Sequence, residues 1–202
     1  MSHATRGARC GKIAPVTSEI ENDRLRVLSV CVGNICRSPV SEFLIRSELG
    51  DRVDSTSAGT HALVGQPVYP PMANRLDAVG VAHDGAARQV DEPLLRQSDL
   101  ILAMTRELRS RVVELVPAAV RRAFTLAEFA EIVGAGPRPT QRPSGRAELI
   151  PLIAAAAAHR SAVAGRGIDL DIADPYRRDD ADYAVAFEQI QRSVAMIADA
   201  WR

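Results

Sequence analysis

Lysine is nearly missing from this chain. Lys12 is its only lysine, so almost all of the positive charge is arginine, a bias that points to a GC-rich genome more than to chemistry. Acidic and basic residues balance at 25 each, so no bulk field draws the protein toward nucleic acid or an anionic membrane. No apolar run is long enough to span a bilayer, and the polar N-terminus lacks the apolar centre of a secretory signal. The three cysteines, Cys10, Cys31 and Cys36, are too few and too unevenly spaced for a disulfide framework. They suit a reducing cytoplasm, where a thiol stays free. His3, His61, His83 and His159 are scattered without metal-ligand spacing, and none is assigned to catalysis. Within these bounds, 202 residues make one domain of ordinary size with a sizeable core.

Residues 1–23 show no periodicity and read as a flexible extension, so the domain is expected over residues 24–202. From Leu25 onward, short apolar runs alternate with helical patterns. Leu25 to Val30 reads as a first strand, Pro39 to Leu49 as a helix, Val53 to Ala58 as a second strand, and residues near Met72–Val79 as a further helix. Asp91 is a plausible N-cap, Leu100 to Ala103 is a compact buried strand, and Thr105 caps a helix reaching Leu115. Thr125 with Glu128 has the spacing of a capping box after a short strand near Ala123. In the last helix, Tyr183, Phe187, Ile190, Val194, Ile197 and Trp201 recur at steps of four and three, giving one apolar stripe.

Strands alternating with helices predict a parallel sheet covered on both faces. One region breaks that rhythm. Gly134 to Gly145 is loop composition, followed by an alanine-rich helical stretch in which Pro151 either begins the helix or kinks it. Residues 131–167 therefore read as a helical insertion, either packed on the domain edge or poised as a lid over a binding site.

The segment richest in chemistry is Cys31-Val32-Gly33-Asn34-Ile35-Cys36-Arg37-Ser38, placed after the first strand and before a helix. Gly33 and Asn34 tolerate left-handed backbone, so this loop can turn successive N–H groups inward as an anion nest. The following helix N-terminus adds positive potential. Such surroundings favour the thiolate of a cysteine. Arg37 carries a planar fork suited to two phosphate oxygens. In open parallel sheets, ligands bind at the carboxyl ends of strands, where this loop sits.

Cys31 to Pro39 resembles the phosphate-binding loop of the low-molecular-weight protein tyrosine phosphatases, and Asp174-Pro175-Tyr176 resembles that family's general-acid loop. Ser57-Ala58-Gly59-Thr60, Ala87-Arg88-Gln89-Val90 and Asp99 to Met104 match too, so the likeness runs from Leu25 to Trp201 apart from the insertion. The resemblance implies a flavodoxin-like α/β fold, with four parallel strands flanked by helices. It implies hydrolysis of phosphotyrosine through a phosphocysteine on Cys31, with no metal and no cofactor. Arg37 and the loop amides of Val32, Gly33, Asn34, Ile35 and Cys36 would hold the phosphoryl oxygens, and Ser38 would donate to the thiolate. Asp174 would act as general acid, and Tyr176 would flank the cleft and stack on an aromatic substrate. Asn34 either satisfies a turn or holds the loop's strained shape. Cys36 is either a packed thiol or the partner of Cys31 in a protective disulfide. Arg88 is expected as a structural partner of loop carbonyls. Phosphotyrosine protein is the implied partner, with a tyrosine autokinase opposing it, as in bacterial relatives of exopolysaccharide control. A monomer or weak dimer is expected, without nucleic acid or membrane.

The chain departs from the pattern at three points, one of them Arg177, which stands where some relatives carry a second tyrosine after Asp-Pro-Tyr. Gly85 stands where many members carry a histidine that buttresses the loop, and Leu63 is the nearest apolar candidate for the cleft wall. Two other activities share the fold. Phosphoarginine phosphatases typically carry threonine where this loop has Ile35. Thiol-linked arsenate reductases typically carry serine there, and the thioredoxin-coupled ones need further cysteines that do not occur after Cys36. A phosphoprotein-binding module would lack the nucleophile or the acid, and both Cys31 and Asp174 are present.

Overall fold

The computed structural model describes residues 23–163 and 166–202. The expected extension, Cys10 included, lies outside the described residues except for Asp23. Strands β1 (Leu25–Cys31), β2 (Val53–Gly59), β3 (Leu100–Ala103) and β4 (Ala123–Thr125) form one parallel sheet in the order β2-β1-β3-β4. The order reverses between β1 and β3, so the Cys31 loop leaves the sheet at the topological switch point.

Around the sheet lie α1 (Arg37–Leu49), α2 (Pro70–Ala78), α3 (Glu92–Gln97), α4 (Arg106–Leu115), α5 (Leu126–Ala135), α6 (Arg146–Ala158) and α7 (Asp180–Ala200). Alternation along β1 sorts its side chains between two cores. Leu25, Val27 and Cys31 join α1, α5, α6 and α7 on one face, while Leu28 and Val30 meet Leu95, Val112 and Val116 on the other. Fully burying a side chain such as Leu28 contributes roughly 1.5–3 kcal/mol.

The caps read from sequence are formed. Asp91 and Thr105 accept from the Leu94 and Leu108 amides, and Thr125 and Glu128 make the reciprocal capping box that starts α5. The α7 stripe is buried from Tyr183 to Ile197, and Trp201 seals its end against Phe129.

The inserted segment resolves both alternatives left by the sequence. Helix α5 continues through Ala135, so the insertion starts inside a core helix, and Pro151 lies within α6 rather than at its first turn. The lid reading is overturned. The Arg146 amide donates to the Asp23 carbonyl and its guanidinium grips Asp99. Both acceptors precede strands, so α6 sits at the amino ends of β1 and β3, opposite the Cys31 loop. Leu149 and Ile153 make it part of the main core.

Candidate active site

The loop from Cys31 to Arg37 is shaped by where its carbonyls go. Those of Cys31, Val32 and Gly33 accept from the amides of Thr60, His61 and Leu63 at 3.0 Å, and that of Ile35 accepts from Tyr69 at 2.8 Å. With the carbonyls turned to that neighbouring segment, the amides of Gly33, Ile35, Cys36 and Arg37 donate to no protein acceptor among the described residues. They add to the orphan donors that every helix start presents, here the start of α1.

Asn34 makes the turn, with φ at 56°. Its side chain offsets the cost of that conformation: Nδ2 donates to Ser38 Oγ and Ser57 Oγ, and Oδ1 accepts from the Arg88 amide. Arg88 also donates through Nε to the Ser57 carbonyl. Gly59 is required beside it, because a Cβ there would lie 2.3 Å from the Val32 carbonyl oxygen.

Cys31 is buried, its sulfur 2.9 Å from Ser38 Oγ and 3.2 Å from the Asn34 amide that donates to it. Cys36 is buried nearby. Burial, reinforced by the negative charges of Cys31 and Asp174 and opposed by Arg37, pushes its thiol up to about 12.

Arg37, also buried, donates through Nη1 to the Ile172 carbonyl at 2.9 Å, and its Nη2 lies 2.5 Å from Asp174 Oδ2. Its Nε is buried without a partner among the described residues. The Asp174 loop is tied down independently of Arg37. Asp171 takes the Arg106 amide and guanidinium, and the Ile172 amide donates to the Met104 carbonyl beyond β3. Asp174 Oδ1 accepts from the Tyr176 amide at 3.2 Å, so the ordinary turn role of an Asp-Pro pair and the contact with Arg37 coexist.

Together these groups line a cavity of about 210 Å³, walled by Cys31, Ile35, Cys36 and Arg37 with Asp174 and Tyr176 opposite. Val32 and Gly33 border it too. Asn34 and Ser38 do not, because their side chains turn behind the loop. The sequence missed three contributors. His61, assigned no role, lines the cavity beside Leu63. Tyr69 meets Tyr176 edge-on at 5.4 Å and stacks on Tyr183 at 5.8 Å, fixing the aromatic wall. Its only sequence signal was an aromatic ring in a proline-rich turn. Glu42 stands behind the loop, with Oε2 2.6 Å from Ser57 Oγ. At the departure point, His83 turns to Asp77 at 3.1 Å and packs near Phe43, so it does not stand in for the side chain lacking at Gly85.

The family is settled by comparison. The chain matches the family model described as low molecular weight phosphotyrosine protein phosphatase over residues 26–142. It is 30% identical to "Probable low molecular weight protein-tyrosine-phosphatase EpsP" of Ralstonia nicotianae, covering 87% of this chain and 92% of that protein. The chain belongs to the low molecular weight protein-tyrosine-phosphatase family and is a hydrolase of that family. Among solved structures, the tyrosine phosphatase AmsI of Erwinia amylovora shares the fold at a TM-score of 0.65 and 22% identity, over 87% of this chain and 92% of that one. The YwlE arginine phosphatase of Geobacillus stearothermophilus shares it equally, at a TM-score of 0.65 and 24% identity, over 87% of this chain and 91% of that one. At those identities the likeness speaks to the fold alone.

Proposed function

We propose that this protein hydrolyses phosphotyrosine in protein substrates, with Cys31 as nucleophile, Arg37 as anion clamp and Asp174 as general acid. The observation that carries this reading is the meeting of Asp174 with Arg37 across the cavity that holds the Cys31 sulfur. The sulfur attacks phosphorus as the bond to the phenolic oxygen breaks, and Asp174 delivers its proton to that oxygen. Charge moving onto the equatorial oxygens is met by Arg37 and the free loop amides. Water then attacks the phosphocysteine and gives its proton to Asp174. The phosphorus–sulfur bond breaks, and phosphate leaves.

Tyr176 in the cavity lining, backed edge-on by Tyr69, favours a phenyl ring, and the apolar Ile35 in that lining offers a guanidinium no partner. The reading places the enzyme in the cytoplasm, as a monomer or weak dimer opposing a tyrosine autokinase. Among the described residues, no helix is long and apolar enough to cross a membrane. Residues 24–202 act as one catalytic domain, with the insertion as a brace at the far end of the sheet.

Steady-state turnover of p-nitrophenyl phosphate, phosphotyrosine peptide, phosphoarginine and arsenate tests the assignment. Turnover of the first two, abolished in Cys31→Ser while vanadate still binds, is the expected result. Turnover of arsenate alone, or unchanged activity in Cys31→Ser, refutes it.

A further inference from the structure

The cysteine loop is braced from behind by a line of side chains that ends on a carboxylate. Asn34 presents its amide nitrogen to two hydroxyls, Ser57 Oγ at 2.8 Å and Ser38 Oγ at 2.9 Å. Its oxygen accepts from the Arg88 amide at 2.8 Å, and that backbone donor decides which end of the side chain is oxygen. Both hydroxyls therefore accept from Asn34, and each must send its own proton elsewhere. Ser57 has Glu42 Oε2 at 2.6 Å. Ser38 has the Cys31 sulfur at 2.9 Å, with the Ala58 carbonyl a longer alternative at 3.4 Å.

Glu42 projects from α1 with its side chain only 14% exposed. Burial raises its carboxyl, while Ser57, Arg46 and Arg88 draw it back down and Asp84 adds a smaller upward push. Arg46, one turn along the same helix, holds the other carboxylate oxygen at 2.6 Å. A cavity of about 200 Å³ opens beside this group, lined by Glu42, Asn34, Ser57, Asp84, Gly85 and Arg88 among others. Gly85 contributes no side chain to fill it.

We propose that Glu42 is a positioning residue for the reaction at Cys31. Ionised, it accepts a hydrogen bond from the Ser57 hydroxyl, which leaves the Ser57 oxygen free to accept from Asn34; Asn34, held in that orientation, also donates to Ser38 and so turns the Ser38 hydroxyl toward the sulfur. An amide or a protonated acid in its place can donate to Ser57, and the displaced Ser57 proton then faces the Asn34 donor. The left-handed turn loses one of its restraints, and the sulfur loses a fixed donor. The proposal rests on the assignment of Cys31 as nucleophile.

The test compares Glu42→Gln, Ser57→Ala and the double variant with the parent. Two rates are read: alkylation of Cys31 by iodoacetamide at pH 7, located by peptide mass, and kcat/KM on p-nitrophenyl phosphate. Each single variant should slow both rates about tenfold, the scale of one lost hydrogen bond. The double variant should be no slower than Ser57→Ala alone, since both changes act through one chain of bonds. Losses that multiply, or parental alkylation in Glu42→Gln, overturn the proposal. Should Glu42→Gln fail to fold, Ser57→Ala leaves the Glu42–Arg46 pair intact, and parental alkylation there is equally fatal. A Cys31 that alkylates readily in a parent protein without phosphomonoesterase activity strikes the phosphatase assignment instead.

Discussion

Asp174 and Arg37 form an ion pair across the mouth of the cavity, with 2.5 Å between Oδ2 and Nη2. The pair is lopsided, since the Arg37 side chain is 3% exposed and that of Asp174 is 45% exposed. Arg37 is fixed on its other side by the Ile172 carbonyl, itself in the anchored acid loop. An incoming phosphate dianion competes with Asp174 for the same guanidinium edge, to which Nε adds an unused donor. On the proposed mechanism, substrate binding would release the carboxyl group beside the leaving oxygen, so that Arg37 and Asp174 exchange partners.

Replacing Asp174 by Asn should then have two opposite effects. Turnover of phosphotyrosine should fall roughly 10²–10⁴-fold, the usual contribution of a placed general acid. Substrates whose leaving group needs no proton should lose less. Inorganic phosphate and vanadate should bind more tightly, because a competing negative charge has gone from Arg37. Inhibition constants and kcat on two leaving groups decide the matter. Equal losses on both substrates with weaker anion binding would remove Asp174 from both roles.

Much of this site was legible in the order of residues. The Cys31 to Ser38 loop was legible as an anion nest through the residue types it combines, and Asp174 only through the resemblance of Asp174-Pro175-Tyr176 to a known acid loop; folding brings both to one cavity. Caps at Asp91, Thr105 and Thr125 were readable because capping depends on neighbours three residues away. What was not legible came from distant segments meeting. Tyr69 reaches Tyr176 only through folding, and Glu42 is one polar residue on a helix whose burial depends on β2 lying behind it. The end of the sheet on which α6 packs is set by Asp23 and Asp99, which no pattern within residues 131–167 records.

Cys36 should behave as a thiol across the neutral range, because its surroundings push it to about 12. Iodoacetamide near pH 7 should label Cys31 and leave Cys36 unmodified, as fragment-ion masses would show. Peroxide changes this balance. Oxidation of Cys31 to sulfenic acid removes one of the charges that hold the Cys36 proton, and Cys36 can then condense with it, forming the S–S bond and releasing water. Inactivation by peroxide should be reversed by dithiothreitol in the parent protein and not in Cys36→Ser. Equal recovery in both would dismiss the protective pairing.

Gly59→Ala should be the most damaging single-methyl addition near the site. The new Cβ would meet the Val32 carbonyl oxygen at 2.3 Å and the Asn34 nitrogen at 3.0 Å, both backbone atoms that cannot rotate aside. Gly59 itself is held by Arg88 and Val90 through backbone bonds at 2.9 Å. The loop must yield, and a displacement of about 1 Å can cost on the order of 100-fold in rate. Overpacking should also cost about 1–3 kcal/mol of stability. Measuring kcat/KM alongside urea unfolding tests this, and parental values in both would show the loop to be more pliant than its contacts imply.

The far end of the sheet predicts an effect on stability alone. Asp99 is 8% exposed and sits between Arg26 and Arg146. Its burial opposes ionisation, but hydrogen bonds from Arg146 and Arg26 outweigh it and hold the carboxyl at about 2, below its ordinary 3.8. A carboxyl depressed in the folded state stabilises above its unfolded value and loses that contribution as pH falls through the folded one. The difference corresponds to about 2 kcal/mol, present at pH 5 and above, mostly lost as the pH falls to 2 and gone below it. Asp99→Asn should therefore lower the urea midpoint at pH 7, and the two proteins should converge as the pH approaches 2. Turnover of p-nitrophenyl phosphate by the folded variant should match the parent, since Asp99 lies at the amino ends of the strands and Cys31 at their carboxyl ends. A gap between the unfolding curves that persists below pH 2 would locate the loss in packing of α6 rather than in the charge of Asp99.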